Sequence, residues 1–186
     1  MRKIVLTFGL IAGAILLAMM LITMPFHEQI GFDNSLIIGY TTMVLAFMMI
    51  FAGVKSYRDN VSNGTVSFGR AFVIGLLITV VASVCYVATW EVYYHKVAPD
   101  YLDKYTEYAL AKERESGASD AQILAKSKEM QEFNERYKNN LLLSAAYTLL
   151  EPLPVGIVLS LIAAGVLSRK RRNGSPATGA IAASAS

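Results

Sequence analysis

Four long apolar runs, separated by short polar breaks and one long amphipathic stretch, set the pattern of this chain. The fourth run, residues 141–168, reads LLLSAAYTLLEPLPVGIVLSLIAAGVLS and holds one charge, Glu151. Crossing the hydrocarbon of a bilayer takes roughly 20 such residues. The pattern therefore predicts membrane spans over about 4–24, 36–54, 71–94 and 145–168. The first run has a rival reading as a secretory signal peptide. Its apolar core is too long for one, and no small-x-small cleavage site follows it.

The stretch between the third and fourth runs repeats differently. Residues 100–115 read as a helix with Leu102, Tyr105, Tyr108 and Ala109 on one side. Gly117 interrupts it, and Ser119-Asp120-Ala121-Gln122 has the form of a capping box that starts a second helix. That helix sets Ile123, Met130, Phe133 and Tyr137 on one stripe. Two such helices joined by a tight turn make a hairpin over about 98–140. In residues 55–70, Asn63-Gly64 between short β-prone pieces predicts a small β-hairpin. After Arg172 the chain is small and polar, so 173–186 is expected to be a disordered tail.

Charge orients these elements. Arg2, Lys3, Lys55, Arg58, Arg70 and the cluster Arg169, Lys170, Arg171 and Arg172 flank one set of span ends, while residues 25–35 carry no Lys or Arg. Cytoplasmic loops collect Lys and Arg. The expected architecture is thus an all-α integral membrane four-helix bundle, residues 1–172, with an extracytoplasmic helical hairpin between spans 3 and 4. Both termini are expected in the cytoplasm, with the chain in a cell inner membrane.

Composition narrows the function classes. Apolar residues make up 54% of the chain and charged ones only 17%, against about a quarter in soluble domains. The net charge of +3 is membrane anchoring rather than a nucleic-acid footprint. Cys85 is the single cysteine, so no intrachain disulfide forms. Asn60 and Asn63 fit the glycosylation acceptor pattern but fall in an expected cytoplasmic loop. Nucleophile-elbow, Walker, dinucleotide and paired-cysteine signatures are absent, and no internal repeat marks a transporter. No catalytic, cofactor-binding or metal site is assigned.

Small and polar residues mark the remaining positions of interest. Gly9 and Gly13 form a small-xxx-small pair suited to close helix packing, within this bundle or against a partner copy. Gly75, Thr79 and Ser83 share one face of the third span. Tyr86, Trp90, Tyr93 and Tyr94 read as an aromatic belt at the headgroup level. Pro152 and Pro154 cannot sit inside a continuous helix, so a kink or restart is expected with Pro152 in the first turn. At about 1.5 Å per residue, Glu151 lies about 27 Å from Arg169 and Glu91 about 31 Å from Arg70, which puts both carboxylates near one outer depth. His95 follows Glu91 by one turn, and His27 and Glu28 follow the first span on that side. These five residues are the candidate functional cluster. They are solvated at the interface, or cap freed backbone groups and pair with hairpin cations, or converge on a metal ion or proton path.

The stretches RKIVLTFGLIAGAI, SFGRAFVIGLLIT, YVATWEVYY and EPLPVGIVLSLIAA together resemble the bacterial domain of unknown function 4199 family, over roughly residues 1–170. The resemblance implies a four-span protein of a bacterial inner membrane, and it supplies no activity or catalytic residues. The expected role is a non-enzymatic interaction or structural protein whose partners are the lipid bilayer and a second copy or another membrane protein, engaged through the hairpin. A small oligomeric transporter or ion-coupled channel using Glu91 and Glu151 is the alternative. A membrane-embedded metal-dependent enzyme is a distant third.

Overall fold

A computed structural model describes residues 1–168. The basic cluster at 169–172 and the tail from 173 lie outside the described residues, as do the side chains of His27 and Glu28. The described chain is helical throughout, in the order α1 (Arg2–Thr23), α2 (His27–Ile30), α3 (Phe32–Asn60), α4 (Phe68–Lys96), α5 (Tyr101–Glu115), α6 (Asp120–Asn139), α7 (Leu141–Leu149) and α8 (Pro152–Leu167). Four stretches are long and apolar enough to cross a membrane: Arg2–Phe26, Phe32–Asn60, Phe68–Lys96 and Leu141–Leu167.

The bundle is organised around α4, which packs on α1, α3 and α8. Small residues bring these helices together. A methyl group built on Gly9 would stand 2.7 Å from Val81, and one on Gly13 would stand 2.8 Å from Cys85 Cβ. Gly75 faces Ser160, and Gly156 faces Thr79. Phe47, Ile50, Ile74 and Ile78 fill the space between, fully buried. Two hydroxyls within this layer bond their own helix: Thr79 donates to Gly75 O at 3.0 Å and Ser160 to Gly156 O at 2.7 Å. In a medium without water that is how a Thr or Ser is tolerated.

Residues 55–70 depart from the expected β-hairpin. α3 runs on to Asn60, because Tyr57 continues its buried stripe. Asn63 and Gly64 are indeed a turn, both at positive φ, but they close the helix end, with Gly64 N–H donating to Arg58 O at 2.8 Å. Val66 then plugs the bundle at 2% exposure, and α4 begins at Phe68. The helices therefore extend past the apolar runs at this end.

The α5–α6 hairpin forms as its pattern requires. The Ser119 hydroxyl accepts from Gln122 N–H at 3.4 Å while the Gln122 side chain accepts from Ser119 N–H at 2.9 Å, a complete capping box. Ile123 and Tyr137 are buried on the predicted stripe. The hairpin lies over the end of the bundle where α3 begins. Phe32 meets the rings of Tyr101, Tyr105 and Tyr108 at 5.0–5.7 Å, and Lys112 Nζ reaches Asp33 Oδ2 at 2.7 Å.

Candidate functional site

The prolines at 152 and 154 create the site. Neither has an N–H to give, so α7 stops at Leu149 and α8 restarts with Pro152 at its first turn. The step between them is tight: Leu150 N–H donates to Tyr147 O at 3.0 Å. α8 packs on both α3 and α4, whereas α7 packs on α4 and α6 without comparable packing on α3. The break thus opens a cleft of about 330 Å³ between α3 and α7, beneath the hairpin.

Aromatic rings make most of its walls. α4 contributes Tyr86 and Trp90, the hairpin Tyr101, Tyr105 and Phe133, and α3 and α7 contribute Tyr40 and Tyr147. The rings brace one another, with Trp90 edge-on to Tyr101 at 5.2 Å and Phe133 edge-on to Tyr147 at 5.0 Å. Glu151 is the one charged side chain among the lining residues. Its Oε2 accepts from the Tyr86 hydroxyl at 2.7 Å.

A chain of hydrogen bonds closes the back wall. Trp90 Nε1 donates to Tyr137 Oη at 2.8 Å, and Tyr137 Oη pairs with Thr148 Oγ1 at 2.9 Å. Thr148 spends its own proton on Ser144 O at 2.9 Å. A hydroxyl has one proton, so Tyr137 must be the donor to Thr148. Every polar group in that row is satisfied, as burial demands.

Of the predicted polar residues, the three whose side chains are described are divided rather than gathered. Glu91 and His95 meet, with His95 Nδ1 3.5 Å from Glu91 Oε2 and 3.0 Å from Glu91 O. Ser144 donates to Glu91 Oε1, and that carboxylate is only 12% exposed. Glu91 is thus held against α7, whereas Glu151 turns toward Tyr86 and the cleft. The packing sets the offset between the two carboxylates. Gly75 pairs with Ser160, Thr79 with Gly156, Tyr86 with Glu151 and Glu91 with Ser144, one antiparallel register along α4. Five residues of α4 separate the two carboxylates, about 7.5 Å. Among the described residues, no three His, Cys, Asp or Glu side chains form a group able to hold a metal ion.

The aromatic belt is also corrected. Trp90, Tyr93 and Tyr94 are buried and pack with Tyr137 under the hairpin instead of facing lipid. Their spacing with Tyr86, at i, i+4, i+7 and i+8, puts all four on a single face. Ser144 and Thr148 carry no comparable sign in the sequence.

Four membrane-length helices, a helical hairpin over one end and a cleft beneath it define a polytopic helical membrane protein. The chain belongs to the family described as Protein of unknown function (DUF4199), whose sequence model matches residues 7–169. No curated protein and no solved structure matches it.

Proposed function

We propose that this is a non-enzymatic protein of a bacterial inner membrane that holds a small ligand in the cleft beside Glu151. In this reading the α5–α6 hairpin is extracytoplasmic and forms the roof of the site, and both termini are cytoplasmic. The observation that carries it is the cleft itself. It has the size of a small-molecule site, mostly apolar walls and one charged group. The orientation rests on Arg2, Lys3, Lys55, Arg58 and Arg70, all at the ends away from the hairpin.

The test uses Gly39, which lines the cleft and has nothing within 4 Å of a built Cβ. Gly39→Phe fills the space without disturbing a helix contact. Native mass spectrometry from mild detergent should show a small adduct on the wild type that the variant loses. The same adducts on both would overturn the reading.

A second reading, a hairpin that docks a partner or second copy, draws support from Leu124 on α6, 72% exposed. The aromatic face of the hairpin is already spent on the bundle, which is why this reading comes second. A stoichiometric protein or dimer in the same spectra would promote it. The transporter alternative has less support, since Glu91 is bonded to Ser144 and does not line the cleft.

A further inference from the structure

We propose that the cleft is a site for an alkylated ammonium group, which deepens and rests on the ligand-holding reading above. A carboxylate at membrane depth is costly unless something compensates its charge. Glu151 accepts one hydrogen bond, from Tyr86, and among the described residues no donor reaches its Oε1. Among the described residues, no Lys, Arg or His lines the cleft with it. The described chain thus leaves Glu151 without a cationic partner, and a cationic ligand would supply one.

The walls decide which cation. A metal ion wants several oxygen, nitrogen or sulfur ligands, and Glu151 is the cleft's single carboxylate. Aromatic faces instead attract organic cations through their quadrupoles, and Tyr and Trp are the preferred rings. Trp90, Tyr86, Tyr101 and Tyr105 stand around the same space.

Hydrogen bonding narrows the class further. The Trp90 indole can only donate, and the Tyr137 and Thr148 hydroxyls are committed to their own row, so beyond Glu151 the acceptors on the walls are single hydroxyls, those of Ser35, Tyr40, Tyr105 and Tyr147 among them. A primary amine or guanidinium brings several N–H donors that each need an acceptor. An alkylated ammonium brings a charge with few or none. Its apolar remainder has an exit between α3 and α7, where Leu36, Tyr40 and Tyr147 are exposed. Two sources share this chemistry: the headgroup of a choline lipid and a free alkylated amine.

The chain has one tryptophan, and Trp90 is in the cleft wall, so its emission reports occupancy directly. The full chain in phosphatidylglycerol nanodiscs is titrated with choline and, separately, with dimethylbutanol, its uncharged carbon isostere. Glu151→Gln, which keeps an acceptor for Tyr86, is titrated in the same discs and so controls for lipid surface charge. We expect a saturable change with choline, weakened about tenfold or more both by the isostere and by Glu151→Gln. Adding phosphatidylcholine to the discs should suppress the choline response if the headgroup is the source, and leave it intact if a soluble amine is. Equal binding of choline and isostere, an unaltered Gln variant, or no response to choline or phosphatidylcholine overturns the proposal. If Gly39→Phe still abolishes binding of both probes, the cleft reading survives that failure; if it changes nothing, both fall.

Discussion

The indole N–H of Trp90 in α4 donates to the phenol oxygen of Tyr137, near the C-terminal end of α6, across 2.8 Å. This bond ties the hairpin to the membrane bundle at a buried point, since both residues are under 10% exposed. Tyr137→Phe keeps the ring and removes the oxygen, which strands the Trp90 donor and takes away the donor to Thr148. Leaving a buried group unpaired costs about 1–3 kcal/mol. The loss should appear as a lower unfolding midpoint in mild detergent and a shifted Trp90 emission. An unchanged midpoint would mean that the hairpin is held elsewhere.

The glycines of the bundle separate into two kinds. A Cβ on Gly156 would run into the side chain of Thr79, and one on Gly9 or Gly13 into Val81 or Cys85. Overpacking of this kind costs typically about 1–3 kcal/mol. Gly39 has open space, and Gly→Ala in a helix gains up to about 1 kcal/mol of propensity. Gly156→Ala and the double change Gly9→Leu with Gly13→Leu should therefore destabilise, whereas Gly39→Ala should be neutral or stabilising. Thermal denaturation in detergent reads the sign, and a destabilised Gly39→Ala would contradict the packing described.

Much of this fold was legible, and the reasons are local. Apolar run length predicts the four membrane-length helices, and Ser119 with Gln122 predicts the start of α6 to the residue. Pro152 and Pro154 predict the break, because their missing donors forbid anything else. What meets across the break was not legible. Tyr86 reaches Glu151 only because Gly75 with Ser160 and Gly156 with Thr79 set the register, and that register exists only once the helices pack. Depth counted from Arg70 and Arg169 misses it. The row Tyr86, Trp90, Tyr93 and Tyr94 was visible, but an aromatic row at a span's end suits a lipid belt and a buried face equally. The position of the hairpin decides between them, and no local pattern carries it.

Alkaline pH should loosen the hairpin first. Tyr101 is pushed up to about 12, chiefly by burial and next by the charge of Glu151. Tyr108 and Lys112 are also raised, each chiefly by its hydrogen bond with Asp33. A folded pKa above the unfolded one gives stability that is complete below the unfolded value. For Tyr101 that value is about 10. As pH rises from about 10 to about 12, the unfolded chain releases the proton while the folded one keeps it, so stability falls. Two units of difference correspond to a loss on the order of 3 kcal/mol. Tyrosinate absorbance should show several phenols titrating late, one fewer of them in Tyr101→Phe, and that variant should have a flatter stability profile above pH 10. An undiminished late amplitude in Tyr101→Phe would assign the shift to other residues.

The last prediction concerns which side of the membrane the hairpin occupies. Placing a thiol at Ser119 would sacrifice the cap of α6, so Glu115, exposed at the end of α5, is the better position. Thr65, exposed in the turn between α3 and α4, reports the opposite end of the bundle. Cys85 is replaced by Ser in both cases, which removes the only native thiol with little change in size. An impermeant thiol reagent is applied to intact cells whose outer membrane has been permeabilised. Glu115→Cys should label at once, and Thr65→Cys only after lysis. This pattern follows from the Lys and Arg at residues 2, 3, 55, 58 and 70, since each basic residue resists transfer across the bilayer. The hairpin holds its own Lys and Arg, but Asp33, Asp100 and Glu113 pair with Lys112, Lys104 and Lys126. Pairing of this kind leaves the hairpin's basic residues a weaker topogenic signal than the clustered flanks. Labelling in the reverse order would put the cleft on the cytoplasmic side, and a ligand would then have to reach it from within the cell.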